Sequence, residues 1–240
     1  MSEYQYHEFL AVDHPLTPAQ QAEVGALAGG AEVTSSGFTD EFDDGDFPGD
    51  PLRMMELYFD AHLCVTGWGT RRVMLRLPQE VLPLGAVRPF RLEEQVEAFV
   101  AGRHLILDLC NDDDEGDWDE GGDEDLAVIA GVRAELASGD LRPLYLAWLA
   151  AIGTWDRDED AFEDDFEDEL EPPVPAGLGS PSASQRALAD FLRLDPDLLA
   201  TAAHETGDEG APRRTVAELL DTMAETRQKR EQGVMVNRAG

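Results

Sequence analysis

Apolar and polar residues alternate along Tyr4-Gln5-Tyr6-His7-Glu8-Phe9-Leu10-Ala11-Val12, and the aromatic and β-branched content of that stretch predicts a strand. Thr17 followed by Pro18 reads as an N-cap with proline at the first helical position, opening a helix to about residue 28 that Gly29-Gly30 ends. Residues 31–36 predict a second strand leading into an acidic loop. Leu52, Met55 and Phe59 fall on one face of a short helix over 51–58. Residues 60–66 and 72–77 predict two strands joined by Gly67-Trp68-Gly69-Thr70, and 91–100 with 104–109 predict a hairpin around Gly102-Arg103.

The second half changes period. Residues 126–137 and 141–152 predict two helices separated by Ser138-Gly139-Asp140, with Asp140 placed to cap the second. Pro172-Pro173-Val174-Pro175 cannot continue a helix and reads as a spacer. Residues 182–192 and 196–203 form a helical pair, the latter opened by Asp195-Pro196, and 215–232 form a last helix with Val216, Leu219, Leu220 and Met223 on one face. Strands first and helices later predict an α+β fold: a mixed or antiparallel sheet with helices on one face, then a small helical C-terminal part. The expected organisation is an α+β domain over 1–155 with acidic loops, an acidic and Pro-rich linker over 156–180, a helical unit over 181–204, and an amphipathic basic helix over 213–232.

Charge changes this picture more than composition does. The net charge is −33 over 240 residues. Residues 40–50, 111–125 and 156–171 carry 27 acids and one base, Arg157, whereas the rest of the chain holds 24 acids and 17 bases. The acidity belongs to three stretches and not to the body. That pattern argues against a salt-adapted surface and against direct nucleic-acid binding, which requires Lys and Arg against the phosphates. The last 28 residues differ: Arg213, Arg214, Arg227, Lys229, Arg230 and Arg238 face four acids, so this helix can dock on the chain's own acids or on a partner. Two cysteines, Cys64 and Cys110, fit a reducing compartment. With no basic-apolar leader and no apolar run long enough to span a bilayer, a cytoplasmic location without membrane partners is expected. The longest apolar run, 144–153, suits a buried helix.

The opening Tyr4-Gln-Tyr-His-Glu-Phe-Leu-Ala-Val-Asp-His-Pro-Leu-Thr17, the segment Gly49-Asp-Pro-Leu-Arg-Met-Met-Glu-Leu-Tyr-Phe-Asp-Ala-His-Leu63 and Trp68-Gly-Thr-Arg-Arg-Val-Met-Leu-Arg-Leu-Pro78 resemble a family of uncharacterised bacterial proteins. The resemblance covers roughly residues 1–200 and includes Asp108, Glu115-Gly-Asp-Trp118 and Glu171-Pro-Pro-Val-Pro-Ala-Gly-Leu178. It supplies no catalytic residues. Through gene neighbours bearing a SWIM-type zinc finger, it implies a nucleic-acid-related partner.

Candidate chemistry is sparse. Asp156, Asp158, Asp160, Asp164 and Glu167 fall in the phase of a calcium-binding EF-hand loop, but Ala161 stands where the sharp turn needs glycine and Glu163 where an apolar residue belongs. His62 and Cys64 share one strand face, and His104 and Cys110 share another parity; were those strands neighbours, a zinc site would be conceivable, although no paired ligand spacing supports it. No nucleophile elbow or phosphate loop is present. Arg71 and Arg72 with Trp68 suit either a small anion site or a hairpin rim. The expected function is a non-enzymatic interaction protein, without cofactor, whose acids meet a basic protein partner such as a nucleic-acid-binding protein. The expected partner-binding residues are Asp112, Asp113, Asp114, Glu115, Asp117, Trp118, Asp119, Asp156, Asp158, Asp160, Asp164 and Glu167. Two alternatives stand beside it: a metal-dependent enzyme using acidic-loop carboxylates with His62 or His104, and an acidic solubilising adaptor.

Overall fold

A computed structural model describes residues 4–27, 32–43, 47–112, 125–155, 169–204 and 213–238. The strands are Gln5–Leu10 (β1), Glu32–Val33 (β2), Gly37–Phe42 (β3), Ala61–Thr66 (β4), Thr70–Pro78 (β5), Val96–Ala101 (β6) and His104–Asp112 (β7). They form one sheet in the order β2-β3-β1-β4-β5-β7-β6, antiparallel at every pairing. The helices are Pro18–Leu27 (α1), Pro51–Leu57 (α2), Leu84–Val87 (α3, followed by a 3-10 turn at Arg88–Phe90), Leu126–Ile129 (α4), Val132–Ala137 (α5), Arg142–Trp155 (α6), Ala183–Phe191 (α7), Pro196–His204 (α8) and Val216–Arg238 (α9). The α+β architecture expected from the chain is the one that forms.

Because side chains alternate across a strand, each central strand serves two layers. Ala61, Leu63 and Val65 of β4, Val73, Leu75 and Leu77 of β5, and Leu105, Leu107 and Leu109 of β7 point to one face and join a core with α4 to α9. Each fully buried Val or Leu among them contributes about 1.5–3 kcal/mol. Helix α6 lies at the centre of that layer, touching β6, β7, α7 and α8. Every residue from Leu144 to Ile152 is buried, as a helix apolar all round must be. The opposite face is partly covered by Val24 of α1, Met54 and Met55 of α2, and Phe59, which pack on Phe9, Phe38, Met74 and Ile106.

Local signals account for most element starts. Thr17 and Gln20 cap α1 reciprocally, Ser182 and Gln185 form a capping box on α7, and Asp125 accepts from Val128 N at the start of α4. The Asp140 carboxylate accepts from Arg142 N at 3.0 Å as expected.

Three segments differ from the sequence reading. The first acidic stretch does not begin as a loop: Asp40 and Glu41 lie in β3, where Phe38 is buried and Thr39 and Glu41 are exposed, so a strand survives on one fully buried apolar residue and its pairing with β1. The single helix expected over 126–137 is two, broken around Ala130-Gly131. A Cβ at Gly131 would lie 2.3 Å from the Ser184 hydroxyl of α7, so the break is where another helix approaches closely. The Pro-rich spacer begins with buried residues, because Glu171 is only 3% exposed and Pro172 is also buried.

Candidate functional site

Of the residues expected to bind a partner, the structure describes Asp112; Asp113, Asp114, Glu115, Asp117, Trp118, Asp119, Asp156, Asp158, Asp160, Asp164 and Glu167 lie outside the described residues, as does the calcium-loop phase. Asp112 is exposed, ends β7 and pairs in register with Thr70. Strand pairing and one side-chain hydrogen bond bring Phe42-Asp43, Asp112 and Thr154-Trp155, after which each acidic stretch leaves the described residues, to one end of the sheet. By contrast, Asp50 caps α2, and Glu171 is held at Tyr145, about 14 Å back along α6. Phe42, just before Asp43, is opposite Gln5, and Gln5 is opposite Thr66 at the end of β4. Thr66 Oγ1 accepts from Thr70 N at 3.0 Å, and Thr70 is opposite Asp112. Asn111, fully buried, donates through Nδ2 to Thr154 Oγ1 at 2.7 Å in the last turn of α6, immediately before Trp155 and the third stretch.

Next to that end, polar residues cross the less covered sheet face in register. Asp40, His7, Cys64, Arg72 and Cys110 follow one another through β3, β1, β4, β5 and β7. His62 and Asp108 lie one pleat further along. His7 Nε2 faces Gln5 Oε1 at 3.3 Å and Cys64 Sγ at 3.8 Å, and His7 Nδ1 shares a hydrogen bond of 3.1 Å with His62 Nε2. His62 Nδ1 is buried without a hydrogen-bond partner among the described residues. Phe47 stacks on His7 at 4.3 Å and Phe9 on His62 at 4.2 Å. Burial lowers His7 to about 4; it also holds His62 well below the usual histidine value, with His7 and Arg72 adding to the effect. Both rings are therefore neutral at pH 7.

The thiols are equally inert. Burial raises Cys64 to about 12, and burial with the neighbouring Asp112 carboxylate raises Cys110 as well, so neither supplies a thiolate nucleophile. Arg72 Nε lies 3.0 Å from Asp108 Oδ1, and burial nevertheless pushes the Asp108 carboxyl up to about 6.

The strands carrying the conceivable zinc ligands are not neighbours, because β5 separates β4 from β7. Cys64 and Cys110 both register with Arg72, about 10 Å apart across two strand spacings. His62 registers with Met74 and His104 with Pro78, a further offset of about 13 Å along β5. Among the described residues, no group of three His, Cys, Asp or Glu side chains is placed to hold a metal ion. Arg71 and Arg72 diverge by the same alternation: Arg71 lies over the Phe191 ring of α7 at 5.7 Å, while Arg72 pairs with Asp108 on the opposite face. Trp68 is exposed in the turn between them and β4.

Two buried ionic networks were not singled out from the sequence. Asp60, 1% exposed, accepts from Val12 N and Asp13 N, each at 2.8 Å, and from Arg76 Nε and NH2 at 3.1 and 2.7 Å. Arg133 of α5 reaches the same place, donating to Asp13 Oδ2 at 2.8 Å and to the Arg76 carbonyl at 2.9 Å, and this hydrogen bond lowers the Asp13 pKa. The signal available was an acid flanked by Phe59 and Ala61 in an otherwise apolar stretch. In the second network, the Glu171 carboxylate accepts from Tyr145 Oη, and from Arg214 Nε at 2.6 Å. Its backbone N–H donates to the Arg214 carbonyl at 3.0 Å, and Leu170 bridges Thr215. Arg227 pairs with Asp195, just before α8, and with Asp197 in its first turn. The basic residues Arg214 and Arg227 thus meet the chain's own acids. Nothing in the composition marked Glu171, the last of eleven acids in its stretch, as the buried one.

No family profile, curated protein or solved structure matches this chain. Among the described residues, no helix is long and apolar enough to cross a membrane.

Proposed function

We propose that this chain is a non-enzymatic interaction protein whose acidic stretches bind a basic protein partner, one whose basic face ordinarily meets nucleic acid. The observation that carries the reading is the meeting at one end of the sheet of Asp43, Asp112 and Trp155, the points from which three stretches holding 27 acids and one base leave the described residues. Charges gathered at one pole sum into a field that steers a cationic partner, which the same charges spread over the molecule would not do. The chemistry of the described residues adds support, since His7 and His62 are neutral and the thiols of Cys64 and Cys110 protonated.

The test is the association rate of a partner recovered by pull-down from the native host, measured against ionic strength and against duplex DNA as competitor. The rate is expected to fall about tenfold or more as salt rises from about 0.05 to 0.5 M, because exposed charges are screened beyond about 10 Å at 0.1 M. DNA should displace the chain. Exchanging the acids of residues 112–125 for Asn and Gln should slow association while leaving the thermal midpoint nearly unchanged. A rate flat in salt overturns the proposal.

A further inference from the structure

The two edges of the sheet are protected unequally. At one edge β2 has two residues, and the part of β3 beyond it carries Asp40 and Glu41; shortness and charge both deter pairing with another chain. At the other edge β6 reads Val96-Glu97-Ala98-Phe99-Val100-Ala101, without Lys, Arg or Pro. Its ladder shows which backbone groups remain open. Cys110 N–H donates to the Gln95 carbonyl at 2.7 Å, and Ala101 is opposite His104 across the two-residue turn Gly102-Arg103. Odd-numbered residues of β6 therefore turn their backbone groups toward β7, and Val96, Ala98 and Val100 turn theirs outward. Leu92 occupies both outward groups of Val96, at 2.8 and 3.1 Å. The outward N–H and C=O of Ala98 and Val100 have no partner among the described residues, and the Val100 side chain is 55% exposed.

We propose that this edge is a dimerisation surface on which a second copy of the chain pairs β6 to β6 antiparallel. Only one register uses the open groups. Ala98 and Val100 exchange hydrogen bonds with Val100 and Ala98 of the partner subunit, so the two-fold axis passes through Phe99. Phe99 then meets Phe99 of the partner subunit in a close aromatic cross-strand pair, and Glu97 lies opposite Ala101 of the partner subunit, so no like charges face each other. The flanks are complementary as well. Glu93 and Glu94 are exposed at the start of the strand and Arg103 is exposed at its end, and antiparallel pairing brings each acidic flank to the basic flank of the other copy. The same rotation places the sheet ends that carry Asp43 and Asp112 on opposite sides of the assembly. Chains of net charge −33 can therefore associate along this edge with those ends far apart.

The experiment is mass by light scattering and sedimentation on the full chain, at about 0.15 and 0.5 M salt. The expected mass is twice the 26.3 kDa of one chain. Val100→Pro removes an outward N–H that makes no ladder bond to β7, so it should give a monomer with an unaltered circular dichroism spectrum. If that variant loses its native spectrum, Val100→Lys serves in its place. Arg103→Glu should weaken the dimer about tenfold or more, and adding Glu93→Arg with Glu94→Arg should restore it. A monomeric wild type at all concentrations, or a dimer unaffected in a natively folded Val100 variant, overturns the proposal.

Discussion

The two faces of the sheet are made by the same strands, yet they handle polarity in opposite ways. On the face under α6, β4, β5 and β7 present mostly aliphatic side chains. The polar groups that reach the layer sit at its ends, Arg71 over Phe191 and Asn111 bonded to Thr154 at one and the Tyr145–Glu171–Arg214 group at the other. On the other face the alternate positions of those strands carry His62, Cys64, Arg72, Arg76, Asp108 and Cys110. Burial there costs free energy unless a group is paired or neutral. Asp60 and Arg76 are paired, while His7, His62 and both thiols stay neutral. The centre of one face is thus held by area and that of the other by specific partners, and the two should fail differently.

The largest contrast should come from removing one partner on each face. Asp60→Ala leaves Arg76 and two buried amides without their acceptor, an expected loss of about 3–5 kcal/mol. Leu107→Ala on the helix-covered face removes only apolar contacts and leaves a cavity, costing about 2–5 kcal/mol. Chemical denaturation measures both. Near-isosteric variants separate them: Asp60→Asn, which keeps the volume but removes the charge that Arg76 meets, should cost nearly as much as Asp60→Ala, whereas Leu107→Met should cost less than about 1.5 kcal/mol. A tolerated Asp60→Asn would break the distinction.

The next effect is in pH. His7 titrates at about 4 when folded and near its ordinary value when unfolded, so its contribution is present above pH 6.5 and lost as pH falls toward 4. The loss approaches ~3 kcal/mol, and His62 acts in the same direction. Asp108 opposes them: its raised pKa favours the folded state below about pH 4, and that benefit disappears as pH rises through about 6. Comparing urea midpoints of wild type and His7→Gln from pH 7 to 4.5 isolates the first contribution. Wild type should lose more stability than the variant on acidification, and parallel curves would show that His7 is not held neutral by burial.

The smallest expected effect is an absence of reaction. Cys64 and Cys110 should resist alkylation at pH 8 in the native state and react once the chain is unfolded in urea. Fast native modification of either thiol would mean that this face opens readily.

Strands and helices were legible where one local rule dominates: alternation in β1, the Gly102-Arg103 turn between β6 and β7, and the capping residues Thr17, Asp140 and Asp195. Legibility failed where a distant segment decides. Asp40-Glu41 reads as acidic loop but forms strand, because β1 supplies the pairing. Residues 126–137 read as one helix but break where Ser184 approaches Gly131. The conceivable zinc ligands shared parity, but parity says nothing of strand order, and β5 intervenes.

By itself the chain determined its fold class, the sizes of its acidic stretches and the absence of familiar catalytic motifs, because hydrophobic period and charge are properties of neighbouring residues. Tertiary structure alone decided that Asp43, Asp112 and Trp155, from which those stretches leave the described residues, meet at one end of the sheet. It also decided that Glu171 and Asp60 are buried among many exposed acids, and that β6 is the open edge. Each of these depends on which segments become neighbours across the fold, and strand order is set by the packing of both faces at once rather than by any local run of residues.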